Sequence, residues 1–165
     1  HFRIGDQIDP QLLLNWEEDM PYGAVFVRRE EWFFDWVVNG FPFNEFTLVT
    51  LNNEKRQVGY VLLHQRKYPS GLIDGKIVDI FALEWNWDNL NNLFRKAVSV
   101  LIAQGVHSIS YHATHHSFQE LARLNGFCLS GIQRVITYGS VSEVVVGDMA
   151  MPLHMTFYDH DEAYY

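Results

Sequence analysis

The sequence predicts an α+β domain: a central mixed sheet, mostly antiparallel with one parallel pair, and helices on both faces. Three observations lead there. Two amphipathic segments precede a β-rich stretch, a hairpin continues as a meander over residues 46–83, and a strand–helix–strand unit spans residues 78–112. A connection of that length between neighbouring strands implies a right-handed parallel crossover.

The first helix starts at Asp9-Pro10, a capping residue followed by proline, and carries Leu12, Leu13 and Trp16 until Met20-Pro21 stops it. A short extended piece is expected at 23–27. A second helix over 29–38 presents Trp32, Phe33 and Trp36 on one face and ends at Asn39-Gly40. Residues 46–51 and 57–65 are rich in Val, Leu, Thr and Tyr around the turn residues Asn52, Asn53 and Glu54, which predicts a hairpin. An irregular connection over 67–75, with Pro69, Gly71 and Gly75, leads to a buried strand over 78–83 that contains Asp79.

The crossover helix over 89–104 has a wide apolar stripe of Leu90, Leu93, Phe94, Ala97, Val98, Leu101 and Ile102, with Asp88 as its expected N-cap. A strand over 107–112, a helix over 117–125 closed by Gly126, and strands at 127–138, 143–146 and 154–158 complete the reading.

At 165 residues, 48% hydrophobic and 15% aromatic, the chain has enough apolar content for one core, so residues 1–165 read as a single domain. A net charge of −8 opposes binding to nucleic acid or to anionic membranes, and neither is an expected partner. The apolar run at 73–83 is broken by Asp74, Lys76 and Asp79 and falls short of the ~20 residues that span a bilayer. Cys128 is the only cysteine and suits a core position, which together with the lack of a signal-like segment points to a reducing, cytoplasmic setting. The start at His1 without methionine suggests a piece excised from a longer protein.

The order of elements, with a short helix ending Leu124-Asn125-Gly126-Phe127, resembles the GNAT superfamily of acyl-CoA-dependent N-acyltransferases. Residues 29–42, with Trp36 and Pro42, then Gln57-Val58-Gly59-Tyr60, and the tail Met155-Thr156-Phe157-Tyr158-Asp159-His160-Asp161, look like a bacterial subgroup tied to polysaccharide genes. Val37 stands where that subgroup has arginine, and Leu153 where it has tryptophan. The resemblance covers residues 8–161. It implies acetyl-CoA or another acyl-CoA as donor, a small-molecule amine or amino-sugar as acceptor, and a second GNAT-like domain in the full-length chain. Such a preceding half would account for the start at His1 and for the absence of a first strand.

The resemblance also implies a cofactor site. The backbone of Phe81, Ala82 and Leu83 would pair with the pantetheine arm. Residues 86–91 occupy the diphosphate-binding turn, with Asn86, Asn89 and Asn91 at its defining positions, the last two in place of glycine. Asp88 adds a carboxylate there, which either caps the helix in the anion's place or leaves acyl-CoA in a modified pose. The superfamily's tyrosine acid maps to Ala122.

Asp79, in an apolar strand, is the candidate general base, since burial would raise its pKa toward neutrality; otherwise it is a hydrogen-bonded structural carboxylate. His112 and His115, beside His116, are candidate catalytic groups or surface histidines. His-x-x-His-His across a strand end does not ensure convergence, so no metal site is expected. Trp36, Tyr158, Asp159 and Asp161 are candidates for substrate contact. Trp85 and Trp87 could stack on a ring but suit packing better. Two functions therefore stand: an N-acyltransferase, or a catalytically silent GNAT-like module that binds a partner domain or a sugar-like ligand.

Overall fold

A computed structural model of the chain describes residues 1–5, 7–19, 30–40, 45–54, 56–113 and 116–128. In chain order these form β1 (Phe2–Gly5), α1 (Pro10–Glu18), α2 (Glu31–Asp35) running into a π turn (Trp36–Gly40), β2 (Glu45–Asn52), β3 (Gln57–Lys67), β4 (Ile73–Ala82), a 3₁₀ turn (Leu83–Trp85), α3 (Trp87–Ala103), β5 (Ser108–Tyr111) and α4 (His116–Leu124). The five strands make one sheet in sequential order. β1 to β4 pair antiparallel, and β4 and β5 form the one parallel pair.

The sheet is covered on both sides. Ile8, Leu12 and Leu13 from the α1 region, with Phe34 and Val37 from α2 and its π turn, pack on Leu48, Tyr60, Leu62, Val78 and Phe81. On the other face Leu90, Leu93, Phe94, Ala97 and Leu101 of α3 and Phe118 and Leu121 of α4 pack on Val49, Val61, Leu63, Ile77 and Ile80. Each large side chain buried from α3 contributes about 1.5–3 kcal/mol.

The ends of α3 and α4 obey the same local rule. Gly105 and Gly126 have φ of 80° and 86°. Val106 donates its N–H to the Leu101 carbonyl and Phe127 to that of Ala122, while Gly105 and Gly126 donate to Ile102 and Arg123. Each pattern is a glycine-closed helix end that satisfies carbonyls left over by the last turn.

Several expectations are corrected. The first strand is present: Phe2–Gly5 pairs with β2, and the N-terminal ammonium donates to the Asn52 carbonyl at 2.6 Å. β4 begins at Ile73, because Ile73 already pairs with Lys67 of β3 across the hairpin. In the second helix Phe34 and Val37 point inward, while Trp32 and Trp36 are exposed. Phe34 meets the Tyr60 ring edge-on at 5.1 Å, which decides the buried face. Cys128 is exposed, not in the core. Residues 127–128 are in no strand; the rest of 127–138, the strands at 143–146 and 154–158 and the piece at 23–27 lie outside the described residues.

Candidate active site at the parting of β4 and β5

The parallel pairing runs from Asp74↔Ser108 to Ile77↔Tyr111 and ends there. β4 continues to Ala82, so residues 78–82 have no β5 partner among the described residues, and their backbone edge borders a parting between the strands.

A β-bulge lies at the start of this stretch. Leu62 pairs with Asp79 and Leu63 with Ile77, which leaves Val78 as an extra residue in β4. Alternation along a strand would put Asp79 on the α3 face with Ile77. The bulge turns both Val78 and Asp79 to the α1 face instead. There Asp79 is fully buried and accepts a hydrogen bond from the Tyr60 hydroxyl at 2.6 Å.

Tyr111, the last paired residue of β5, packs on the α3 side of the sheet, the face opposite Asp79. Its ring stands edge-on to Phe94 at 5.2 Å. The hydroxyl is buried, with no hydrogen-bond partner among the described residues. Such a group costs about 1–3 kcal/mol of stability. Burial, and after it the Asp79 carboxylate, push the phenol's pKa well above its usual value, so it stays protonated.

The turn after β4 is tightly held. Glu84 and Trp85 both have positive φ, 56° and 50°, a conformation that non-glycine residues adopt only with outside support. Asp19, just past α1, supplies it: its carboxylate accepts the Glu84 N–H at 2.6 Å and its carbonyl accepts the Trp85 indole N–H at 2.8 Å. Trp85 meets Phe81 and Phe118 edge-on, each at 5.5 Å, and is packed against both core clusters.

Asn86, not Asp88, is the N-cap of α3, its side-chain oxygen accepting the Asn89 N–H at 2.9 Å. Asp88 lies in the exposed first turn, where a carboxylate suits the helix dipole. Asn91 accepts from the Asn125 side chain at 2.9 Å, which ties α3 to α4. Two of the three asparagines thus have structural partners. Phe81 and Ala82 have buried side chains, so only their backbone is on offer, and Leu83 accepts the Asn86 N–H at 3.1 Å.

His112 follows β5 directly and is half-buried; His116 opens α4. His115, Tyr158, Asp159 and Asp161 lie outside the described residues, and exposed Trp36 is on the α2 side. Among the described residues no three His, Cys, Asp or Glu side chains are placed to hold a metal ion, and no helix is long and apolar enough to cross a membrane. Tyr60, Tyr111 and Trp85 join the site only in three dimensions. The alternation of Gly59-Tyr60-Val61 and Ser108-Ile109-Ser110-Tyr111 hints at their faces, but nothing local indicates the bulge that aims Asp79 at Tyr60.

No known family's sequence profile matches the chain, and no curated protein matches it. Solved structures do. A ribosomal-protein-alanine N-acetyltransferase from Brucella melitensis biovar Abortus 2308 superposes with a TM-score of 0.62 at 12% identity, covering 84% of this chain and 99% of that one. An aminoglycoside acetyltransferase from an uncultured soil metagenomic sample gives 0.59 at 14%, covering 84% and 99%. The aminoglycoside N-acetyltransferase AAC(6')-Iy, solved with CoA, gives 0.55 at 14%, covering 84% and 98%. A mixed sheet of five strands with one parallel pair, flanked by helices, matches these enzymes in fold: the chain has the GNAT acyltransferase fold.

Proposed function

We propose that the chain is an N-acyltransferase that takes an acyl group from acyl-CoA, acetyl-CoA in the simplest case, and passes it to a small amine or amino-sugar. The observation that carries this reading is the edge that β4 presents where it parts from β5, beside the buried Asp79. An extended, amide-bearing arm can add to such an edge as a further strand does, through backbone groups alone. The donor supplies an activated acyl carbon. Transfer breaks its bond to sulfur and forms one to nitrogen: the incoming ammonium loses one proton before attack, and the nitrogen loses a second as the CoA thiolate leaves and becomes the free thiol. Asp79, held by Tyr60 at the parting, is the proposed acceptor of the first proton. His112, at the end of β5, is the second titratable group within the same stretch.

The diphosphate end fits less well. The Asn86 side chain already takes one amide of the first turn, and Asp88 brings a negative charge to it. At about 6 Å a carboxylate opposes a phosphate charge by roughly 3 kcal/mol at an effective dielectric near 20, more than a helix terminus returns. Donor affinity is therefore weak in this reading, and the rewritten turn is its cause. The subgroup tied to polysaccharide genes and a second GNAT-like domain in the full-length chain belong to the same proposal, supported by the motifs at 29–42 and 155–161.

A thermal-shift titration with acetyl-CoA tests the reading. Ligand at 100 times its dissociation constant adds about 2.7 kcal/mol to stability, and the absence of any shift at millimolar acetyl-CoA sinks the proposal. In the transfer assay Asp79→Asn, which keeps the side chain's shape, lowers the rate by about 10²–10⁴ if the carboxylate is the base. An unchanged rate removes Asp79 from that role.

A further inference from the structure

We propose that Tyr111 is a ligand-binding residue whose hydroxyl donates a hydrogen bond to the acyl donor's thioester or amide oxygen where β4 and β5 part. This rests on the N-acyltransferase reading above. Tyr111 is the last paired residue of β5, so its neighbours in β4 beyond Ile77 border the parting. Its ring is fixed by Phe94, and its hydroxyl is buried without a partner among the described residues. A buried donor in that state weakens the ligand-free protein and gains a partner when an oxygen arrives, so the bond costs little ordering on binding. Across the parting, Asp79 already accepts from Tyr60.

The chemistry selects a donor over an acid. A phenol held well above its usual pKa does not give up its proton to a thiolate whose ordinary pKa is about 8.5. It polarises a carbonyl or orients an amide while keeping that proton. Tyr111 is the one tyrosine of the β5–α4 segment, residues 108–124.

Tyr111→Phe removes the oxygen and nothing else. Scanning fluorimetry of the wild-type chain and the variant is run with acetyl-CoA as the probe, and the KM for acetyl-CoA is measured beside kcat. The expected result is an unliganded Tm equal to or above wild type, with the acetyl-CoA concentration for half-maximal shift, and the KM, raised roughly tenfold. A lowered unliganded Tm with an unchanged titration, or a variant that does not fold, assigns the hydroxyl to structure and overturns the proposal. A wild-type shift that the variant reproduces at the same concentrations overturns it too, while leaving the N-acyltransferase reading intact. If the wild-type chain shows no shift at all, both fall together.

Discussion

Asp79 and His64 show how far a strand residue's role depends on what lies across the sheet. Asp79 is fully buried yet polar, and its bond with Tyr60 is made possible by a single extra residue in β4. His64 is buried on the same face, its ring stacked on Phe46 at 4.6 Å. Burial first, then the charges of Lys76 and Arg66, lower its pKa from 6.5 to about 4. The folded imidazole thus stays neutral down to about pH 4, whereas the unfolded one protonates near 6.5. Between those values the unfolded chain binds the extra proton, so stability falls as the pH drops. His64→Phe should remove this component. In urea titrations the wild type loses up to about 3 kcal/mol more than the variant between pH 6.5 and pH 4. Parallel pH profiles for the two proteins contradict the assignment.

At the scale of elements, the hairpin of β3 and β4 and the helix α3 are fitted to each other at Gly59. A Cβ built there meets the Phe81 carbonyl oxygen at 2.7 Å and a Leu93 methyl at 2.8 Å. The methyl could shift, but the carbonyl belongs to the β3–β4 ladder and cannot. Gly59→Ala should therefore destabilise the chain by about 1–3 kcal/mol, the range for overpacked cores, as read from its denaturation midpoint. A variant as stable as wild type means that the two strands have room to slide. The same local logic explains two departures from expectation. Asn86 takes the cap because the 3₁₀ turn delivers its side chain to the Asn89 N–H, which leaves Asp88 one turn position inside the helix. Trp32 and Trp36 lie outside because the sheet offers Tyr60 to Phe34, a choice that aromatic content along one helix cannot reveal.

For the whole molecule, Trp85 is the side chain among the described residues that touches both cores, bridging Phe81 of the sheet to Phe118 of α4 while Asp19 holds its indole N–H. Trp85→Ala should cost about 3 kcal/mol, the lower end for truncating a large aromatic, since the ring is half-buried. Chemical denaturation measures it; a loss below about 1 kcal/mol means that the two layers are not joined there. Much of this architecture was legible in the sequence. Turn residues at 52–54, the apolar stripe of α3, and glycines at 105 and 126 each act through local backbone geometry, so the hairpin, the crossover helix and the helix ends could be read before any coordinates. In the sequence the candidate site showed only as separate pieces: the turn at 86–91, His112, and Asp79 in an apolar strand. Its orientation by the bulge, its bond to Tyr60, the unpartnered Tyr111 hydroxyl and the parting of β4 from β5 all depend on which residues meet across the sheet. The order of elements is encoded by short-range pattern and chain sterics. Which face a strand residue takes, and what it finds there, is set by long-range register, and one extra residue in one strand is enough to change it.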